Sequence, residues 1–345
     1  MSKQMEFKID GENLYPNSEE IIADHKKNKS HRDMARENKL LIAEIEKKDH
    51  IIEAYQSYKE KPIKKIVPTY SKNKEEGTVL SLCSDVHIEH KITLDNTNGL
   101  NKQNPESAAD KLKKFFTGVV KLTDNNRRDI KLDNLVIGLL GDNLHGFIHE
   151  EYLRTNYMTP VEAMLFVIEQ FRSGFDFLIN HGKFKRIVAV CKVGNHSRTT
   201  DKIYTDNEAL HSYEWAIYQM LAKMFPQVEW KIENSYFSYH QVYDKLIRFH
   251  HGHGFRYGGG IGGLYVPLQR YRLRVNQQRK ADLDCIGHWH TADWLRNTKT
   301  LINGSVCGFD AYAMRSGFEP EPPTQQFLII DKKRGFTINS PIILE

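Results

Sequence analysis

Five times between residues 78 and 306, a run of apolar residues stops at a short polar group built from Asp, Asn or His. The groups are Ser84-Asp85-Val86-His87, Gly141-Asp142-Asn143, Gly194-Asn195-His196, His250-His251-Gly252-His253 and Gly287-His288-Trp289-His290. The runs leading into them, such as TVLSLCSD, NLVIGLLGD and RIVAVCKVGNH, have the length and composition of buried strands. In an open α/β sheet the carboxyl ends of strands converge on one crevice, so side chains far apart in sequence meet there. Asp, Asn and His supply oxygen and nitrogen donors, a set that suits Mn, Fe or Zn better than Ca. Asp85 and His87 stand two apart at one strand end, and His288 and His290 repeat the device. Any one group occurs by chance, and a lone histidine is ordinarily a core or surface residue. His31, His50, His149, His181, His211 and His240 are read that way. Five groups in series, each ending a strand, point to a metal centre.

The rest of the chain supports an α/β reading. NPESAADKLKKFFTGVVKL predicts a helix with Asn104 as its cap and Pro105 in its first turn. EAMLFVIEQFRSGFDFLI and EALHSYEWAIYQMLAKMF predict two more, PLQRYRLRVNQQRK a fourth, and the last 55 residues a strand meander. Residues 1–76 differ, being rich in Lys, Glu and Asn. There Met34, Asn38, Leu41, Ile45, Lys48, Ile52 and Tyr55 follow a 4-3-4-3 spacing, the pattern of an amphipathic helix with a coiled-coil-like seam. The expected organisation is a helical extension with a basic linker (1–76) followed by one catalytic domain (77–345). Self-association through the 34–55 helix is an expected role for the extension. The four cysteines show no CxxC pairing, and three lie in strand-like runs, so all are read as reduced.

The order DxH, GD, GNH, HGH, GHxH resembles the calcineurin-like metallophosphoesterase superfamily over residues 78 to about 306. LINGSV after Gly287-His288-Trp289-His290 resembles that family's NPGS-type segment. The resemblance implies a four-layer α/β/β/α sandwich and two divalent metal ions, Mn first, with Fe or Zn as alternatives. It assigns Asp85, His87 and His290 to one ion, Asp142 to both, and Asn195, His288 and a histidine of the 250–253 run to the other. Aligning HGH with HGH favours His251, and an H-x-G alignment would favour His250; His251 is taken as the expected ligand, with His253 as a neighbour of the site. His196 resembles the family's general acid. Two positions depart from the family pattern: Ser197 and then Arg198 follow Gly194-Asn195-His196 where an acid often stands, and His145 replaces the second acid of GDxxD. Arg198 and His145 are therefore expected as phosphate contacts.

Such a pair of ions ionises a water near neutral pH for in-line attack on phosphorus. The substrate reading rests on charge. Lys59–Lys74 holds six lysines against one glutamate, and Arg270–Lys280 holds five basic residues and no acid. One basic patch is ordinarily a solvated face; two in a chain with a phosphate-handling centre point to a polyanion. The expectation is a nuclease or phosphodiesterase acting on nucleic acid, with Arg272 and Arg279, seven apart on one helix face, tracking the phosphate backbone. Tyr257, Tyr265 and Tyr271 are candidates for base stacking. The chain resembles the catalytic core of the repair exonucleases of this superfamily, and its small size resembles phage-encoded members. A phosphomonoesterase is the alternative, and a non-catalytic scaffold like the retromer-type members is disfavoured because every ligand position is filled. The first twenty residues lack the apolar core of a secretion signal and no run approaches a membrane span, so a cytoplasmic location is expected, that of the host if phage-encoded.

Overall fold

One helix, α1 (His31–Lys59), covers the seam expected from Met34 to Tyr55. Met34 and Leu41 are half-buried, whereas Ile45, Ile52 and Tyr55 are exposed. The computed structural model describes residues 31–59, 74–256 and 263–345. The basic stretch 60–73, Tyr257 and the glycine-rich run 258–262 lie outside the described residues. The chain divides into two units, Met1–Tyr70 and Ser71–Glu345.

The second unit is built on strands buried on both faces, which is why their sequences read as unbroken apolar runs rather than alternating ones. β1 (Glu75–Cys83), β2 (Ile130–Leu139), β3 (Arg186–Cys191) and β4 (Glu229–Ile232) run parallel, in that order, at the centre and one edge of a six-stranded sheet. A second, five-stranded sheet has the order β5 (Ser238–Val242), β6 (Lys245–Phe249), β7 (Leu283–Ile286), β9 (Thr300–Ile302), β8 (Asp293–Leu295). β6, β7 and β9 are parallel in it. The late strands β10 (Thr324–Gln325), β11 (Phe327–Asp331), β12 (Gly335–Asn339) and β13 (Ile342–Ile343) separate: β11 and β12 complete the first sheet antiparallel, while β10 and β13 pair with each other.

The period of two along each strand sorts its side chains between two cores. Val79 and Cys83 of β1, and Ile187, Ala189 and Cys191 of β3, face a core shared with α2 (Pro105–Asn126), α4 (Pro160–His181) and α5 (Tyr213–Met224). A short helix, α3 (Glu150–Thr155), precedes α4. The alternate residues Leu80, Leu82, Val188 and Val190 face Ile247, Phe249, Leu283 and Leu301 of the second sheet. On that sheet's far side, Ile286 and Ile302 pack against Leu268 of α6 (Tyr265–Gln278). The result is the expected α/β/β/α four-layer sandwich.

The caps explain where the helices begin. Asn104 Oδ1 accepts from Ser107 N (2.9 Å) with the reciprocal bond in place, and Pro105 follows. The single helix expected over 208–225 is instead a 3-10 turn (Glu208–His211) and α5. Ser212 breaks it, its extended backbone and its Oγ capping Glu214 N at 3.2 Å.

At Gly174 of α4, an added Cβ would lie 2.1 Å from the Phe116 ring of α2. Gly174→Ala should therefore destabilise the domain by about 1–3 kcal/mol through overpacking. Urea unfolding should show a lower midpoint with metal affinity unchanged; an unchanged midpoint would mean that Phe116 moves aside freely.

Candidate metal centre

The parallel strands end in register. Cys83 stands opposite Leu139 and Leu139 opposite Cys191, while Phe249 stands opposite Cys285 and Ile286 opposite Ile302. The five polar groups therefore emerge side by side at one edge of the sandwich. Backbone bonds zip the first two together: Asp85 N–H donates to Gly141 O (2.9 Å), His87 N–H to Asp142 O and Ile88 N–H to Asn143 O (both 3.0 Å). Close approach explains the glycines. A Cβ on Gly141 would meet Gly194 N at 2.2 Å, and one on Gly194 would meet Asp142 Oδ1 at 2.1 Å.

Of the nine non-glycine residues with positive φ among the described residues, five are expected ligands: Asp85, His87, Asp142, His288 and His290. Each such conformation costs about 1–3 kcal/mol and persists where the surroundings impose it, most often at functional sites. Sharp left-handed turns at the strand ends aim these side chains at one point.

Among the described residues four groups of donors have atoms within 4.8 Å of one another: two join His87 to His290 and Cys307 or to His145 and His196, and two consist of expected ligands alone, Asp85, His87 and Asp142, and Asp142, His251 and His288. Asp142 belongs to both. Asp142 Oδ2 lies 2.8 Å from His251 Nε2 without hydrogen-bond alignment, and neither atom has another partner. Asn195 Oδ1, also buried, has no hydrogen bond either. His290 Nε2 lies 3.4 Å from Asp85 Oδ1 and 3.3 Å from His87 Nε2. Unsatisfied buried polar atoms cost about 1–3 kcal/mol each. Three of those among the described residues, Asp142 Oδ2, His251 Nε2 and Asn195 Oδ1, fall on expected ligands, O and N donors of the kind that hold divalent cations.

The four expected histidine ligands divide. Burial, with His196 alongside, holds His87 well below the usual imidazole range, and burial with His251 does the same to His288, which favours neutral rings; at His290 burial is outweighed by Cys307 and Asp85, which push it up. Burial opposes a charge on His251, but Asp142 outweighs it and pushes the ring up to about 9. A proton here performs the charge neutralisation that a metal ion would.

The structure separates the three histidines of the 250–253 run. His251 Nδ1–H donates to Leu140 O (2.7 Å), which turns Nε2 towards Asp142. His250 points into an aromatic cluster of Tyr236, Phe237 and Tyr271. His253 pairs with Glu208 at 2.9 Å.

His196 takes its place between the two loops. Its N–H donates to Asp142 Oδ1 (2.8 Å), and its Nδ1–H donates to His145 O (2.9 Å). That carbonyl orients the ring in place of an acid after Gly194-Asn195-His196, and leaves Nε2 to carry a proton. Its ring centroid is 4.8 Å from that of His87.

The four expected phosphate contacts fare differently. His145 is buried, stacked on His90 at 3.7 Å and close to Tyr152 at 4.1 Å. Its Nδ1 lies 3.2 Å from His87 Nδ1, so it steadies a ligand ring rather than meeting solvent. Arg198 donates to the carbonyls of Asn195 (2.6 Å), Thr200 and Asp201 (both 3.0 Å), bracing the loop that carries Asn195. Arg272 is turned inward, with Nε 3.1 Å from Asp284 Oδ2 and a bond to Ala281 O (2.8 Å). The cause is Asp284, which shares its buried carboxylate with the fully buried Arg248 at 2.7 Å. Arg279 lies beyond the helix end, its guanidinium 4.2 Å from the Tyr239 ring centroid, so it does not share a helix face with Arg272.

Three contributors escaped the sequence reading. Glu214 Oε1 accepts from Asn143 N (2.6 Å) and Nδ2 (2.8 Å), and its Oε2 accepts from Gly194 N (2.7 Å), tying two ligand loops together. Its signal was an acid in the stripe Glu214, Ile217, Tyr218, Leu221. Glu89 accepts from His145 N and Gly146 N (2.9 Å each) and stands two residues after His87. Burial, reinforced by Asp142, raises both carboxyls to about 7. Cys307 Sγ lies 3.8 Å from His290 Nδ1; its sequence offered no pattern. All four cysteines are buried and free.

No protein-family model matches the chain, and no curated protein sequence does. Among solved structures it is similar to a zinc-complexed Vps29 from Entamoeba histolytica, at 11% identity over 77% of this chain and 99% of that one, with a TM-score of 0.32. It is also similar to a hypothetical protein from Pyrococcus horikoshii OT3 (9% identity, 78% and 88% covered, TM-score 0.38). A predicted phosphoesterase from Streptococcus pneumoniae TIGR4 gives 12% identity, 79% and 99% covered and a TM-score of 0.29. At such scores the likeness decides nothing about the chemistry of this chain; its own residues do.

Removing a partner that orients metal ligands typically costs 10–100-fold in affinity. Glu214→Ala should weaken binding of Mn²⁺ by about that factor in calorimetry, with near-native helix content by circular dichroism. Unchanged affinity would show that the loops hold without it.

Proposed function

We propose that the chain is a metal-dependent phosphoester hydrolase whose substrates are nucleic-acid phosphodiesters. The observation that carries the hydrolase reading is Asp142: one buried carboxylate common to two groups of donors, with unpartnered atoms of His251 and Asn195 beside it. Asp85, His87, His290 and Asp142 would hold one ion, and Asp142, Asn195, His251 and His288 the other. When bound there, two divalent ions lower the pKa of a water and offset the charge of phosphoryl oxygens.

The chain's own residues do the rest. Ser84 Oγ donates to one oxygen of Asp85, and His288 N–H reaches both (3.1 and 3.0 Å), which fixes that carboxylate. Glu89 and Glu214 clamp the loops of Asp142 and Asn195. Water adds across the P–O bond: phosphorus takes the hydroxyl, the leaving oxygen takes a proton from Nε2 of the imidazolium form of His196, and the water's remaining proton restores that form. His196 is placed for that task because its Nδ1–H is occupied by the His145 carbonyl. The diester reading draws on the exposed basic face of α6 beside the centre.

Chelation should abolish turnover of a chromogenic diester, and Mn²⁺ should restore it. His196→Ala should keep both metal equivalents while slowing turnover ~10²–10⁴-fold, most for poor leaving groups. Full activity in chelator would overturn the reading, and loss of one metal equivalent would make His196 a ligand. Turnover of monoesters alone would replace the diester assignment with a phosphomonoesterase.

A further inference from the structure

With Arg272 turned inward, the outward face of α6 is carried by Arg270 and Arg274, four residues apart and both exposed. They line an open cavity of about 390 Å³ together with Arg256, Phe255, Pro267 and Tyr271. Neither Arg256, Arg270 nor Arg274 has a hydrogen-bond or ion-pair partner among the described residues, and no carboxylate lines the cavity. Guanidinium groups keep their charge at any ordinary pH. Three of them lining one open cavity make a locally positive site suited to an anion. Arg272, on the same helix, shows what happens where an acid is within reach.

The cavity is joined to the metal centre by a layer of aromatic rings. Trp289 stands between His288 and His290, its ring 5.2 Å from that of His288 and 5.1 Å from Phe255. Phe255 in turn lies 5.0 Å from Tyr271, in the cavity wall. An anion held there is separated by those rings from the atoms that react.

We propose that Arg256, Arg270 and Arg274 form a phosphate subsite for a single nucleic-acid strand, holding a backbone phosphate other than the scissile one; this rests on the hydrolase reading above for the strand's position. Guanidinium forks match phosphate oxygens two at a time, so arginines are suited to gripping a backbone without reading its sequence. The metal centre itself gains nothing from the subsite when the substrate is a small diester.

The test is binding of a labelled single-stranded oligonucleotide in chelator, where no cleavage intervenes, across a range of salt. For Arg270→Gln/Arg274→Gln, the slope of log K against log salt should fall by about 1.4, that is ~0.7 for each of two lost contacts. Arg270→Lys/Arg274→Lys should restore most of the slope. Mn²⁺-dependent turnover of a small chromogenic diester should be unchanged in both. An unchanged slope would overturn the proposal, as would equal loss of small-diester turnover. Displacement of the oligonucleotide by polyglutamate as readily as by an unlabelled strand would reduce the cavity to a general anion patch. Displacement by inorganic phosphate at the same phosphate concentration would assign it to free phosphate instead. If the wild-type chain turns over no diester yet shows the slope change, the subsite stands and the diester reading falls.

Discussion

A carboxylate taken fully out of water must meet positive charge or donors, and Asp142 is such a carboxylate. Everything near it is arranged around that requirement. His251 faces one oxygen, the His196 amide donates to the other, and the backbone oxygen of Asp142 accepts from the His87 amide. Four chain segments are thus committed to positions around one side chain. The same arrangement leaves His251 Nε2 and Asn195 Oδ1 without hydrogen bonds.

Holding donors so close costs backbone strain, and the fold supplies what restrains it. Five ligand positions adopt left-handed φ values, and glycines stand wherever two loops touch. Parallel strands ending in register deliver the loops, while Glu89 and Glu214, two buried acids outside the ligand set, bind loop amides that would otherwise be unpaired. These acids act through geometry: each converts flexible turns into fixed ones, so that ligand atoms stay within reach of a shared point.

Charge away from the centre follows one rule with two outcomes. Where a buried acid is near, arginine turns inward, as Arg248 and Arg272 do towards Asp284. Where none is near, arginine stays exposed, as Arg270 and Arg274 do. The helix sequence RYRLRVNQQRK looks uniformly basic, but only its tertiary surroundings divide structural arginines from those free to meet a substrate.

The meeting of the five polar groups was legible because each ends a strand, and strand ends of a parallel sheet must converge. The two-core sandwich was legible in part from runs too apolar for a half-exposed strand. What the linear chain could not show was orientation. It favoured His251 over His250 only by aligning HGH with HGH, and the hydrogen bond from His251 Nδ1 to the Leu140 carbonyl, across the two sheets, is what separates them. It placed Arg272 and Arg279 on one face from helical spacing, which holds only while both residues are helical and neither meets an acid; Asp284 and the helix end remove both conditions. Glu214 read as a helix residue and Cys307 only as a reduced thiol, because their partners lie 71 and 17 residues away along the chain. Residue type and strand periodicity determine which side chains arrive at the edge of the sandwich. Which atoms face one another there is decided by contacts between segments distant in sequence, and those exist only once the two sheets have packed.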